Sequence, residues 1–557
     1  MSTNNKELLF CPLGGVGEIG ANMSLYGYGE KNFHEWIMID IGVTFTDDSV
    51  PGIDLVVPDP DFIIQKKKNL KGIVLTHGHE DHIGAIAYLW PYLKCKIFAT
   101  PFTATLIKEK FKEKKIDIDD HLNIIPLNGK IDIKPFKINF VSLTHSILEP
   151  NALLISTPDG NIFHTGDWKC DLKPLIGKNM DTEKLKNIGS SGVLAMVCDS
   201  TNIFTEGRSG SESDVRDNLM NLFETIEHRI VVTTFASNVA RMESVFKCAE
   251  KVGRHLSLVG RSMNKIYKVA KSCGYLESVK PPIDPRDAIR LPKSKIVYLC
   301  TGSQGEPKGA INRIVNDEHP DVELSEGDTV IFSSRIIPGN EKKLYKMHNA
   351  LCKKKINVIS EENAFVHVSG HPGRDEMKDM YQWIKPKISV PVHGEHRHLL
   401  EHYNFANSMQ VKFPTLIENG DVLRIFPGEP KIVDKVNNGK LLIDGNKLID
   451  EDNLALKERK NISFHGLLDL SVLISKNNKI QRNPIINIRG LPFDDLEKNE
   501  IIYELEDKFF DVCSNINLNN KKSEKLLIDE LKSQLRKVIF NRCNKKPFMN
   551  INFIKIR

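Results

Sequence analysis

The residues of this chain best equipped for chemistry are packed into Thr76–Ala85, THGHEDHIGA, where three histidines and two carboxylates fall within six positions. Imidazole and carboxylate groups at that density are the donor set of a divalent-metal site. The preceding apolar run, Gly72–Leu75, reads as a buried strand, and Ile83–Leu89 reads as the start of a helix. A strand that ends in a tight turn aims its donors at one point above the sheet edge. His77 and His79 are two apart, so in extended backbone they project the same way and can hold one metal. Asp81 and His82 follow the bend and can reach a second, while Glu80 points elsewhere as a helix-start carboxylate. A lone histidine carries no such meaning. HxHxDH after a buried strand does, and it predicts a metal centre, in its fullest form a two-metal one.

Further donors should then sit at other strand ends. His145 follows the strand-like Ile138–Leu143, Asp167 follows Asn161–Thr165, and His393 follows Ile388–Val392. Asp40 closes Trp36–Asp40 and is better placed to orient a ligand than to be one. Each repeats one geometry, an apolar strand with His or Asp at its carboxyl end. Gly15–Gly20 satisfies GxGxxG after a strand, but a dinucleotide site requires a helix next. The short, glycine-punctuated Ala21–Gly29 predicts instead the second strand of a hairpin.

The elements around these donors exceed one ordinary core. With 557 residues, 40% of them hydrophobic, the chain should hold about two to four domains. Between Asp167 and His393 lie more than 200 residues with strand–helix alternation: Arg229–Thr234 then Ser237–Lys251, His255–Val259 then Asn264–Ser272, Lys295–Cys300, and Asp328–Ser333 then Lys342–Lys353. That pattern predicts a separate α/β domain with a parallel sheet. Two spots in it look built for an anion. Phe235–Asn238 lies where strand gives way to helix, with Ser237 or Asn238 as N-cap. His367–Gly373 is expected to make the same transition before a helix near Arg374, with Gly370 and Gly373 allowing close backbone approach. The ten cysteines are scattered without a CxxC pair, which suits a reducing compartment. No apolar run of about 18 residues and no secretory signal are read, so a cytoplasmic protein without a membrane span is expected. Lys521–Arg557 carries 11 Lys/Arg against 3 Asp/Glu, whereas the preceding chain is slightly acidic. Such a tail suits a polyanion or is simply solvated.

The motifs together resemble the metallo-β-lactamase superfamily, whose donors run Asp, HxHxDH, His, Asp, His; Asp40, His77, His79, Asp81, His82, His145, Asp167 and His393 match that order. Within it, GGVGEIGANM, THGHEDHIGA, TGDWK, CDSTN, TFASN, TGSQGEP, HVSGH and PVHGE resemble the β-CASP branch and its ribonuclease J family, from about Leu8 to Gly445. The resemblance implies an αββα sandwich in two parts (1–211 and 372–448), a β-CASP α/β domain at 212–371, a linker at 449–457, and a small α+β C-terminal domain at 458–557. It implies two zinc ions, one on His77, His79 and His145, the other on Asp81, His82 and His393, bridged by Asp167. Ala236, Ser237 and Asn238, with His367, Val368, Ser369, Gly370 and His371, match the segments that hold a substrate phosphate. Asp81, Asp199 and His371 carry catalysis by the same correspondence.

The activity so implied is cleavage of single-stranded RNA in maturation and decay, leaving 5′-phosphates, both 5′→3′ from a 5′-monophosphate end and internally. His371 is the leading candidate for protonating the leaving 3′-oxygen, because an imidazole can donate near pH 7. Asp199 either does this instead or tunes a metal-bound histidine. A homodimer or homotetramer and an RNA-decay assembly are also implied, dimerisation being suggested further by an amphipathic helix over Lys525–Arg542 with Leu527, Leu531, Leu535 and Val538 on one face. Three other readings are weighed. A thioester or lactone hydrolase would lack the large insert, a DNA nuclease would differ in substrate alone, and a metal-free RNA-binding paralogue would have lost ligands.

Overall fold

In the computed structural model the described residues are 6–46, 50–475, 480, 482–514 and 521–555, with side chains from 524 in the last stretch. Residues 556–557 of the basic tail and the side chains of 521–523 therefore lie outside the described residues. The chain divides into two compact units, residues 1–44 with 56–440, and residues 45–55 with 441–557.

Two sheets face one another in the first unit. One runs, in spatial order, Lys431–Lys435, Asp421–Phe426, Lys6–Gly14, Met23–Glu30, Glu35–Ile39, Leu70–Val74, Ile97–Ala99 and Leu122–Ile124. The other runs Lys130–Ile133, Phe136–Ser142, Asn151–Thr157, Gly160–His164, Ala195–Asp199, Ile388–Val392 and Phe413–Pro414. Phe10, Ile37 and Val74 of the first meet Phe140, Ile155, Val197 and Val390 of the second in one buried cluster. Outside the second sheet, the helices Thr182–Ser190, Arg374–Ile384 and His396–Ser408 bury Leu185, Ile188, Met377, Met380, Ile384 and Phe405. This is the expected αββα sandwich. Met23–Glu30 pairs antiparallel with Lys6–Gly14, so a hairpin strand follows the glycine motif, as its sequence predicts.

The α/β domain is inserted between neighbouring strands: Ala195–Asp199 and Ile388–Val392 pair in parallel, Asp199 opposite Val392. Its five strands are all parallel, in the order His255–Val259, Ile296–Cys300, Ile230–Thr233, Thr329–Phe332, Asn357–Ile359. One expectation needs correction here. HVSGH does not join a strand directly to a helix but lies in an irregular stretch between Asn357–Ile359 and Arg374–Ile384. The first N–H groups of that helix are already bound: Gly373 donates to Glu376 Oε2 (2.7 Å), Arg374 to Thr205 O (2.9 Å) and Asp375 to Gly207 O (3.1 Å). The helix dipole there is spent on the protein itself. The two glycines serve protein packing too. A Cβ on Gly370 would lie 2.8 Å from His145 Cε1, and one on Gly373 2.3 Å from Gly207 O.

In the second unit a three-stranded sheet, Ile485–Arg489, Leu467–Ile474 and Phe548–Lys555, packs one face on the helices Asp495–Ser514 and Lys521–Cys543. The segment 449–457 holds the end of a β-hairpin strand, Lys447–Asp450, and the start of the helix Leu454–His465. The amphipathic helix is present, but its buried face is Leu527, Leu531, Leu535 and Ile539, all 0% exposed, with Val538 only packed against it. That face is consumed by the unit's own core. Among the described residues no helix is long and apolar enough to cross a membrane.

Candidate metal centre

Every expected donor arrives at the carboxyl edge of the sandwich from a strand end or the turn beyond it. The backbone is bent there at a cost. Asp40 and His393, both non-glycine, adopt φ of 61° and 53°, a left-handed conformation worth about 1–3 kcal/mol of strain each. Hydrogen bonds hold them: Asp40 N donates to Val74 O (3.0 Å) and His393 N to Gly15 O (2.6 Å). The glycine motif thus has a structural task. Val16–Gly17 pairs in parallel with Gly394–Glu395 and braces the last histidine.

Two donor groups share one carboxylate. His77, His79, His145 and Asp167 form the first, and Asp81, His82, Asp167 and His393 the second, the donor atoms within each lying inside 4.8 Å of one another. In the first, His79 Nδ1 is 3.2 Å from His77 Nε2 and 3.1 Å from His145 Nε2. Three imidazole nitrogens facing one point cannot all be satisfied by protons; a cation between them satisfies all three. In the second, Asp167 Oδ2 lies 3.2 Å from His82 Nε2, and Asp81 Oδ2 lies 3.4 Å from His393 Nε2, a buried nitrogen without a hydrogen-bond partner among the described residues. The residues fit metal binding, and Asp167 is common to both donor groups.

The surrounding bonds set the tautomers. Asp40 Oδ2 sits 2.7 Å from His82 Nδ1 and also accepts from Thr76 Oγ1 (2.7 Å), while Asp40 Oδ1 accepts from Thr76 N (2.8 Å). His145 Nδ1 donates to Gly370 O at 2.5 Å, leaving Nε2 for the metal. Burial, the largest influence, pushes His77 and His145 well below the ordinary imidazole range and His79 to about 4, so these three offer neutral nitrogens. For His82 and His393 burial also acts downward, but the carboxylate of Asp167 overrides it, holding His82 well above that range and His393 at about 10.

Beside these donor groups lies a His–Asp dyad. His371 Nδ1 is 2.7 Å from Asp199 Oδ2, and Asp199 Oδ1 is fixed by Thr201 N (2.8 Å) and Thr201 Oγ1 (2.7 Å). Asp167, Asp199 and His371 also converge as a third donor group. The ring of His371 packs on those of His145 (5.0 Å) and His393 (5.7 Å). A cleft opens next to His145, lined among others by Ser146, Glu149, Lys178 and Tyr275.

Of the two segments expected to meet a phosphate, 367–371 reaches this centre through Gly370 and His371, and 236–238 is linked to it through Glu212 and Arg241. Asn238 spends its side chain inside: Oδ1 accepts from Arg241 N (2.9 Å), capping the helix Val239–Lys251, and Nδ2 donates to Glu212 Oε1 (3.0 Å). Ala236 and Ser237 stay partly exposed in the turn before it. In the other segment Val368 and Gly370 are buried, and Ser369 Oγ accepts from Asn202 Nδ2 (2.7 Å) and from His371 N (3.1 Å). Nδ1 of His367 is buried without a hydrogen-bond partner among the described residues. Burial, reinforced by the charge of Arg241, lowers His367 to about 3.

Sequence reasoning missed several supports. Thr76 ties Asp40 to both His77 and His82, and Asn202 splints HVSGH. Both stand inside quoted motifs, so adjacency was the available signal. Glu149, whose carboxylate accepts from Phe102 N (2.8 Å) and Tyr275 Oη (2.9 Å), carried none.

The sandwich and its shared-carboxylate centre define a metallo-β-lactamase-fold hydrolase. Residues 21–167 match the metallo-beta-lactamase superfamily and 355–409 the Zn-dependent metallo-hydrolase RNA specificity domain. A crystal structure of a protein of unknown function from Enterococcus faecalis V583 shares the fold at TM-score 0.51 and 18% identity, over 75% of this chain and 100% of that one. Residues 227–351 match the ribonuclease J beta-CASP domain and 454–555 the ribonuclease J C-terminal domain. The chain is 40% identical to ribonuclease J of Sinorhizobium meliloti over 99% of its own length and 98% of that protein. It is 34% identical to ribonuclease J 1 of Streptococcus pyogenes, over 99% and 98%, and 30% identical to ribonuclease J2 of Bacillus subtilis, over 98% of each. The chain belongs to the ribonuclease J family. It is a metal-binding hydrolytic nuclease that binds RNA.

Proposed function

We propose that the protein uses two zinc ions to cut single-stranded RNA, 5′→3′ from a 5′-monophosphate end and internally where no such end is seated. The observation that carries this reading is the linkage of the centre to the HVSGH segment. Gly370 O fixes His145, and His371 stands one residue on, held by Asp199.

In this reading His77, His79 and His145 hold one ion, Asp81, His82 and His393 the other, and Asp167 both. Bound there, the ions supply an activated water and neutralise charge developing on the phosphoryl oxygens. Attack in line with the 3′-oxygen forms the new P–O bond and breaks P–O3′, so the downstream product keeps a 5′-phosphate. His371 delivers a proton from Nε2 to the departing 3′-oxygen. Asp199 acts through it, by accepting from Nδ1 and aiming the ring. The backbone and hydroxyl of Ala236–Ser237, with Asn238 shaping their turn, and His367–His371 seat the terminal phosphate. A monophosphate so seated brings the first linkage to the metals and gives mononucleotides. A triphosphate is too bulky for the seat, and threaded RNA is cut internally.

A time course on one RNA carrying either a 5′-monophosphate or a 5′-triphosphate tests this, with wild type and Asp81→Ala. Mononucleotides are expected from the first RNA, slower internal fragments from the second, and neither with the variant. Stepwise release at equal rate from both RNAs would remove the phosphate seat. Undiminished cutting by Asp81→Ala after chelation would remove the metal mechanism.

A further inference from the structure

Burying a guanidinium away from all solvent is costly unless its bonds are well met, so the position of Arg241 calls for a reason. It lies in the first turn of Val239–Lys251 and is 0% exposed. Its Nε donates to Glu212 Oε2 (2.9 Å) and its Nη2 to Glu212 Oε1 (3.0 Å). Its Nη1 reaches Ser333 O (3.0 Å), Ser333 Oγ (2.6 Å) and Val366 O (2.8 Å). Ser333 Oγ in turn donates to Val366 O (2.8 Å).

These acceptors come from three stretches far apart in sequence. Glu212 starts the helix by which the chain enters the inserted domain, Ser333 follows the strand Thr329–Phe332, and Val366 immediately precedes His367. Arg241 is itself tied by its backbone N–H to Asn238. Arg241 therefore meets the 367–371 half of the phosphate seat through its guanidinium on Val366 O, and the 236–238 half through its backbone N–H on Asn238 and through Glu212, whose Oε1 also accepts from Asn238 Nδ2 (3.0 Å). The chain of polar contacts continues toward the metals. Glu212 N donates to Asp171 Oδ2 (3.3 Å), and Asp171 lies 3.8 Å from Nζ of Lys169, which is 1% exposed and two residues beyond the shared ligand Asp167.

We propose that Arg241, paired with Glu212, is a positioning residue that holds the phosphate seat at a set distance from the metal pair and thereby sets the one-nucleotide step of exonucleolysis. The proposal rests on the reading of 236–238 and 367–371 as that seat. Arg241 does not meet RNA, since each bond described above runs to a protein oxygen. What matters is the planar fork, which serves acceptors on several sides at once. A lysine in its place keeps the charge but offers one point donor on a flexible stem.

The test uses the full-length, metal-loaded enzyme on three RNAs of one sequence: linear with a 5′-monophosphate, linear with a 5′-hydroxyl, and covalently closed circles. Circles have no end to seat, so their cutting reports the metal centre alone. For Arg241→Lys, KM on the monophosphorylated RNA is expected to rise about tenfold and products to become a mixture of mononucleotides and dinucleotides, with kcat on circles kept within about twofold of wild type. Ser333→Ala removes one acceptor and no charge, so it should move the same quantities in the same direction by less, and it keeps the question open to decision if Arg241→Lys fails to fold. An equal fall on linear and circular RNA in the folded variants would reduce Arg241 to general support of the fold and overturn the proposal. So would an unchanged KM with mononucleotides as sole product. Wild type digesting both linear RNAs equally would overturn the seat itself, a failure read without any variant.

Discussion

At the residue scale, the centre depends on groups that never touch a metal. Asp40 is 1% exposed and spends its carboxylate on His82 Nδ1, Thr76 N and Thr76 Oγ1. Asp40→Ala leaves His82 free to rotate and change tautomer. We predict a loss of metal affinity of about 10–100-fold, measured by competition with a fluorescent chelator, with the far-ultraviolet circular dichroism unchanged. The dyad beside the metals gives a second prediction. His371→Gln removes the proton donor and should lower kcat by about 10²–10⁴, read on covalently closed circular RNA so that the phosphate seat plays no part. Asp199→Asn keeps an acceptor for Nδ1 and should lower kcat less. The reverse order would make Asp199 the proton donor, the alternative that residue types alone left open.

At the element scale, the helix beginning at Glu212 and the helix Val239–Lys251 are locked by a buried ion pair. Burial alone would raise the carboxyl of Glu212, but Arg241 overrides it and brings it from 4.5 down to about 2. A carboxyl lowered on folding contributes stability that is present above its unfolded value and lost as pH falls through its folded value. The wild type should therefore lose this contribution between pH 4.5 and about 2. Glu212→Gln should be destabilised by about 3–5 kcal/mol at neutral pH, because Arg241 is left buried without its partner, and the gap to wild type should narrow across that window. Urea unfolding at a series of pH values reads both. A constant gap would show that the pair titrates outside this range. The same pair marks where the sequence stopped being informative. A strand followed by His or Asp has a local signature, so the candidate metal donors and Asp40 were legible from sequence. Glu212 and Arg241 are 29 positions apart, Ser333 and Val366 act partly through carbonyls, and no spacing or residue type announces a carbonyl. The HVSGH segment was legible only in part. Its glycines announced a close approach of backbone, but not that His145 and Gly207 are among the groups approached.

At the scale of the whole molecule, the centre belongs to one compact unit and the helix-backed sheet to another, each with its own core. Periodicity revealed the amphipathic helix of the second unit, but not which surface would cover it, since an apolar stripe reads alike whether it meets its own sheet or another chain. The structure assigns it to the unit's own sheet, where Leu531 and Leu535 meet Leu468, Leu470 and Phe509. All candidate metal donors, from His77 to His393, lie in the first unit. A ligand that binds only the folded state stabilises whatever cooperative unit holds its site, by about 4 kcal/mol at a thousandfold excess over Kd. Units with separate cores can unfold separately. Calorimetry is therefore expected to resolve two transitions. Chelation should lower the one that belongs to the sandwich and leave the other in place. Leu535→Ala, which opens a cavity between helix and sheet, should do the converse, at a cost of about 2–5 kcal/mol to the second unit. The pair of perturbations is decisive because each is confined to one core. If either moved both transitions together, the chain would unfold as a single cooperative body, and metal loading would then govern the stability of the C-terminal sheet as well as that of the catalytic centre.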